Sequence, residues 1–162
     1  MKPGLQASER VFTRILVAVD GSESSSRAAK TAVRLAKRNE AELIVLSVVP
    51  RPTYAITPIP TTGSPSLPTI GFPDYYAYAS KAAEQWVDEV VSLAKRQDVK
   101  VTKRVLKGAT SVVEAITNYS VAQNVDLTVV GTKGSGGFKR LLLGSVSSGV
   151  VNHAASSVLV VR

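Results

Sequence analysis

Arg14-Ile15-Leu16-Val17-Ala18-Val19-Asp20-Gly21-Ser22 holds an unbroken apolar run from Ile15 to Val19 and ends on a carboxylate, a glycine and a serine. A strand whose residues are all apolar has no face to give to water, so the run predicts a parallel strand in a sheet covered by helices on both sides. Leu43-Ile44-Val45-Leu46 repeats the pattern, and both strands are expected at the centre of the sheet. Strands are expected over Arg14–Asp20, Glu42–Val49, Val99–Leu106, Asp126–Gly131 and Ser157–Val161. The third differs from the first two, because Val99, Val101 and Val105 stand among Lys100, Lys103 and Arg104. Such alternation marks a half-exposed strand, here expected at a sheet edge.

Helical patterns fill the intervals. Ser22 can cap a helix whose inner face holds Ala28, Ala29, Ala32, Leu35 and Ala36, all at steps of three or four or their neighbours. Asp74, directly after Pro73, can start a second helix with a stripe of Ala79, Ala82, Ala83, Trp86, Val90, Leu93 and Ala94, which places Trp86 in the core. Ser111 with Glu114 makes a capping-box pattern ahead of Val113 and Ile116, and Ser145 can open a last helix that turns Val146, Val150 and Ala154 inward. Alternating strands and helices predict an α/β fold with an open five-stranded parallel sheet, right-handed crossovers and helices on both faces.

The 162 residues suit one domain, expected over 14–162 behind a flexible tail at 1–13. Seven of the eight prolines lie between Pro50 and Pro73, with Gly63 and Gly71. A long loop is expected there, either a disordered linker or a flap beside the site.

The absence of cysteine excludes disulfides, thiolate metal sites and a cysteine nucleophile. A formal charge of +8 attracts nucleic acids, anionic membranes and small anions alike. Lys95, Arg96, Lys100, Lys103, Arg104 and Lys107 follow one another without interleaved aromatic residues, which favours a solvated face over a surface on which bases stack. No apolar run is long enough to span a membrane, and the first dozen residues lack the apolar core of a signal peptide. A cytoplasmic protein without a membrane or nucleic-acid partner is expected.

In open parallel sheets, ligands bind beyond the carboxyl ends of the strands, where neighbouring crossovers diverge. The first strand ends in Asp20-Gly21-Ser22. The fourth ends in Gly131-Thr132-Lys133-Gly134-Ser135-Gly136-Gly137 and continues through Phe138-Lys139-Arg140 to Leu143-Gly144-Ser145. Glycines let a phosphate approach successive backbone N–H groups, and the helix opening at Ser145 offers amides without partners of their own. Ser145 and Ser147 add hydroxyls, and Lys133, Lys139 and Arg140 add charge. A flexible connector with an ordinary serine cap has the same composition, so glycine content alone leaves both open.

Other motifs are missing. No Gly-x-x-x-x-Gly-Lys-[Ser/Thr] occurs, no Gly-x-Gly-x-x-Gly follows the first strand, and no Gly-x-Ser-x-Gly elbow is present. His153, the single histidine, falls late in the last helix and reads as a helix-end or packing residue.

Gly131-x-x-Gly134, followed after nine residues by Gly144-Ser145, resembles the nucleotide loop of the ATP-binding branch of the universal stress protein family. Arg14 to Ser22 looks like that family's first strand, Lys139 to Ser147 like its phosphate loop, and His153-Ala154-Ala155 with Ser157 to Val161 like its ending. The resemblance implies strand order 3-2-1-4-5, which brings Asp20 and Gly131 to one crevice. It further implies that Ala18, Asp20 and Val48 line adenine and ribose, with the Asp20 carboxylate as polar anchor, and that Val130 and Gly131 cover the nucleoside. Gly134, Gly144, Ser145, Val146 and Ser147 would hold the phosphates of ATP, AMP or ADP, with Mg²⁺ on the phosphate oxygens. Asp20 has a second reading, as a cap for the turn before Ser22.

The implied strand order leaves the apolar last strand at an edge, where pairing is invited, and a homodimer through Val158 and Val160 is expected. A nucleotide-sensing regulatory module in stress response is the expected function. The alternatives are slow ATP hydrolysis or phosphotransfer at the same site, for which no base besides Asp20 is evident, and a pocket for another adenosine-containing ligand.

Overall fold

Apolar strands that alternate with amphipathic helices must bury both faces of their sheet, and the chain does so in two layers of helix. The computed structural model describes residues 11–51, 72–132 and 143–162. Its strands are β1 (Arg14–Ala18), β2 (Glu42–Pro50), β3 (Val101–Ala109), β4 (Leu127–Gly131) and β5 (Ser157–Val161), and its helices are α1 (Glu23–Asn39), α2 (Phe72–Lys95), α3 (Val112–Ala122) and α4 (Ser145–His153). All pairings are parallel, in the order β3-β2-β1-β4-β5. The expected fold class, strand order and edge position of β3 are thus found. Gly134, Lys133, Lys139 and Arg140, most of the tail at 1–13 and most of the proline-rich segment lie outside the described residues.

Side chains alternate across the sheet. Ile15 and Val17 of β1 and Leu43 and Val45 of β2 join Ala28, Ala32 and Val33 of α1 and Val87 and Ala94 of α2 in one core cluster. Leu16, Ile44 and Leu46 face the other way, onto Ile116 of α3 and Val150 of α4. Val33, absent from the expected stripe of α1, is fully buried, whereas Leu35 packs only at the margin. In α2 the seam runs through Ala83, Val87, Val90 and Ala94, with Trp86 and Leu93 partly buried at its flanks.

The serine caps form as expected: Ser22 Oγ accepts from Ser25 N at 3.1 Å, and Ser111 Oγ from Glu114 N at 3.2 Å. Proline proved more permissive than expected at the ends of the 50–73 segment. Pro50 closes β2 where the register with β3 shifts, and Pro73 lies in the first turn of α2. Neither position demands the missing N–H, since the ladder is ending at the one and no helical bond has yet begun at the other. At the amino ends of the strands, the Asp126 carboxylate accepts from Thr13 N and Thr13 Oγ1, both at 2.7 Å, and from Arg14 N at 3.2 Å. This clasp ties the start of β1 to the start of β4.

Candidate functional site

Between β1 and β4 the order of strands reverses relative to the chain, and a cleft opens at their carboxyl ends. Ala18, Asp20, Val48, Val130, Gly131, Val146 and Ser147, seven of the residues expected in the site, line it. Gly144 and Ser145 stand at the start of α4 next to Val146 but do not form its wall. Sequence reasoning missed Val19 beside β1, Ser25 of α1, Leu46 of β2, and Val112 and Ile116 of α3, which complete the described lining. Val112 and Ile116 form an i, i+4 pair that any amphipathic helix would carry, so nothing in their type or spacing separates a cleft wall from a core contact.

Most of this lining is aliphatic, which suits a flat apolar group. Among the described residues, Asp20 is the only ionisable side chain on it. Asp20 Oδ1 accepts from Ser22 N at 3.0 Å, which closes the turn over Gly21. No described residue donates to Oδ2. The capping role and the ligand role are therefore compatible, one oxygen serving the turn while the other is left to the cleft. Below it, Ser47 Oγ donates to Val19 O at 2.8 Å, and Val19 N donates to Leu46 O at 2.8 Å, so the end of β1 is fixed to β2.

The two glycines at the strand ends have different physical grounds. Gly21 has φ +77, and a Cβ there would lie 2.3 Å from Trp86 Cε2. Gly131 has ordinary φ, but a Cβ would fall 2.7 Å from the backbone carbon of Ser24. The start of α1 presses directly on the end of β4, and only glycine admits that approach.

The start of α4 differs from those of α1 and α3. Its N-cap is Gly144, with no side-chain cap, and the first helical bond runs from Ser148 N to Gly144 O at 2.9 Å. Among the described residues the N–H groups of Ser145, Val146 and Ser147 find no acceptor, and they carry the positive end of the helix dipole. Gly144 N donates to Thr132 O at 2.7 Å, which fixes this helix start beside the end of β4. Ser147 was expected to offer its hydroxyl to a ligand. Its Oγ instead donates to Gly131 O at 2.5 Å, so the hydroxyl fastens α4 to β4.

His153 Nδ1 lies 2.8 Å from Gly149 O on the exposed end of α4, away from the cleft. Among the described residues no three acidic or histidine side chains converge as metal ligands. No described helix is long and apolar enough to cross a membrane.

The universal stress protein family profile matches residues 12–162. Universal stress protein YxiE of Bacillus subtilis is 32% identical over 165 residues, which cover 94% of this chain and all of that protein. The solved universal stress protein UspA from Lactobacillus plantarum superposes with a TM-score of 0.76 at 26% identity, covering 93% of this chain and 97% of that one. A universal stress protein solved in complex with cAMP shares the fold at a TM-score of 0.66 and 24% identity, over 93% of this chain and 97% of that one. With a matched profile over nearly its whole length and a curated relative 32% identical across its full length, the chain belongs to the universal stress protein family.

Proposed function

We propose that the cleft binds an adenine nucleotide, ATP foremost with AMP and ADP as close relatives, and that the protein is a nucleotide-sensing regulatory module of stress response in the cytoplasm. One juxtaposition carries this: an aliphatic slot, a carboxylate oxygen without a described donor and the uncapped start of α4 lie around a single opening. The slot between Val48, Val112, Ile116 and Val130 suits a purine ring. Asp20 Oδ2 would accept from ribose hydroxyls, and the amides of Ser145, Val146 and Ser147 would donate to phosphate. Gly134 joins the phosphate side on sequence alone. Mg²⁺ would ride on the phosphate oxygens, because the described side chains supply no cage for it. The cAMP held by a solved neighbour supports the ligand class.

Calorimetry with ATP, AMP and adenosine tests the assignment. Asp20→Ala is expected to weaken ATP about tenfold, the loss of a charged hydrogen bond. No heat with any adenine nucleotide, or unchanged binding by the variant, would remove the assignment. Slow hydrolysis or phosphotransfer is the competing reading, and brisk phosphate release from ATP by the purified protein would favour it.

We also propose a homodimer paired through β5. Ser157 N donates to Asp126 O and Thr132 N to Val161 O, so the odd residues of β5 turn their backbone groups inward to β4. In a parallel ladder the backbone groups of Val158 and Val160 then point to the open edge. An edge whose N–H and C=O groups have no partner among the described residues, and which carries no charge, is suited to a two-fold copy of itself.

A further inference from the structure

We propose that Trp86 is a positioning residue for the cleft, holding the Asp20-Gly21-Ser22 turn from behind; this rests on the cleft being a nucleotide site. Trp86 does not line the opening. It comes from α2, outside the crossovers that build the crevice, and only part of its ring joins the core. The edge of the indole is spent on Gly21: a Cβ at that residue would meet Cε2 at 2.3 Å, Cζ2 at 2.5 Å and Nε1 at 2.6 Å. The ring therefore lies in van der Waals contact with the Gly21 backbone.

Besides the bonds of Ser25 Oγ with Asp20 N at 3.4 Å and Ser22 O at 2.9 Å, two restraints meet at this turn from opposite sides. From the cleft side, Asp20 Oδ1 holds Ser22 N at 3.0 Å. From the other, the indole blocks the backbone of Gly21 from swinging back, and Gly21 at φ +77 is the residue with the most freedom to do so. The same turn orients the carboxylate, so the angle at which Oδ2 meets a ligand depends on where the indole edge stands. That edge is in turn set by α2, which Lys103 of β3 grips on both sides of Trp86, at Asp88 Oδ1 (2.6 Å) and Glu84 Oε2 (3.7 Å). A chain of contacts runs from the outer strand through α2 to the carboxylate, and the binding of a ribose at Asp20 will be felt by the ring.

Trp86 is the single tryptophan, so its emission reads the turn directly. Asp20→Ala without any ligand should release the turn and shift the emission maximum; an unchanged spectrum overturns the proposal, whether or not nucleotides bind. In the wild type, ATP and adenosine should each change the emission saturably, with the midpoint found by calorimetry. Trp86→Phe should weaken adenosine and ATP by the same factor, about tenfold, because it acts through the ribose side and not the phosphates. In an Asp20→Asn background that factor should fall to near one. A general loss of packing would instead persist in that background, and such additivity would overturn the proposal. Trp86→Tyr, with a larger ring than Phe, should recover part of the affinity, and its thermal midpoint shows whether the fold is intact. Calorimetric silence of the wild type toward every adenosine ligand would defeat the nucleotide assignment alone, leaving the ligand-free spectrum to decide the role of Trp86 in the turn.

Discussion

Strand β3 meets solvent along one edge of the sheet with Lys103, Arg104 and Lys107 exposed, whereas β5, at the opposite edge, carries Ser157, Val158, Leu159, Val160 and Val161 and no charge. Both strands are half-covered by helices, and among the described residues both leave one row of backbone groups without a partner strand. A cation on an edge must be stripped of water before a second strand can pair there, so β3 resists association. β5 has no such guard. The difference teaches that charge guards one edge of this sheet and not the other.

The largest effect should come from making β5 as unwelcoming as β3. Val160→Pro removes an outward N–H while leaving the inward ladder to β4 in place. Light scattering should then report about 17.1 kDa in place of twice that mass, with helical circular dichroism retained. A wild type that is already monomeric at micromolar concentration would break the comparison at its root. Next in size is the reverse change. Replacing Lys103, Arg104 and Lys107 together by threonine should give each molecule two receptive edges, and sedimentation should reveal assemblies larger than a dimer, growing with concentration. A triple variant of wild-type size would mean that the shape of β3, not its charge, protects it.

The smallest effect concerns Lys103 itself. Its hydrogen bond to Asp88 raises the ammonium pKa above the ordinary 10.5, against an opposing desolvation and with the charges of Asp88 and Glu84 adding to the rise. A group with a raised folded pKa stabilises fully below its unfolded value and loses that contribution as pH rises through the folded one. The thermal midpoint of wild type should therefore exceed that of Asp88→Asn slightly at pH 8 to 9, and the gap should close in strongly alkaline solution. The pair is exposed and the gap small; a gap that widens with pH would contradict the assignment.

Much of this was legible in the chain. Continuous apolar runs identified β1 and β2 as central, because a strand buried on both faces tolerates nothing else, and interspersed cations identified β3 as an edge. The resemblance gave the crevice, and seven residues expected there do line it. What escaped was set by contacts between distant segments. Nothing near Gly131 announces that its missing Cβ makes room for Ser24, more than a hundred residues earlier. The donor of Ser147 goes to Gly131 O because α4 lies across the end of β4, and a serine in a first helical turn reads the same whether it faces a ligand or a carbonyl. Trp86 reads as core from its periodicity, yet part of its ring is spent on a turn. Pro73 fits a first helical turn as well as a loop, so the sequence could not say that α2 begins before it.

The Asp126 clasp joins residues 113 positions apart, and this bears on how the chain acquires its shape during synthesis. β1 is the innermost strand and one of the first made, but its second neighbour, β4, is completed only at Gly131. Until then, one side of the most apolar strand has no native neighbour. Closing so long a span is slow, and an unpaired apolar strand invites wrong partners meanwhile. Until β4 has been made the wall of the crevice on its side of β1 does not exist. The cleft is thus among the last features of the fold that the growing chain can complete.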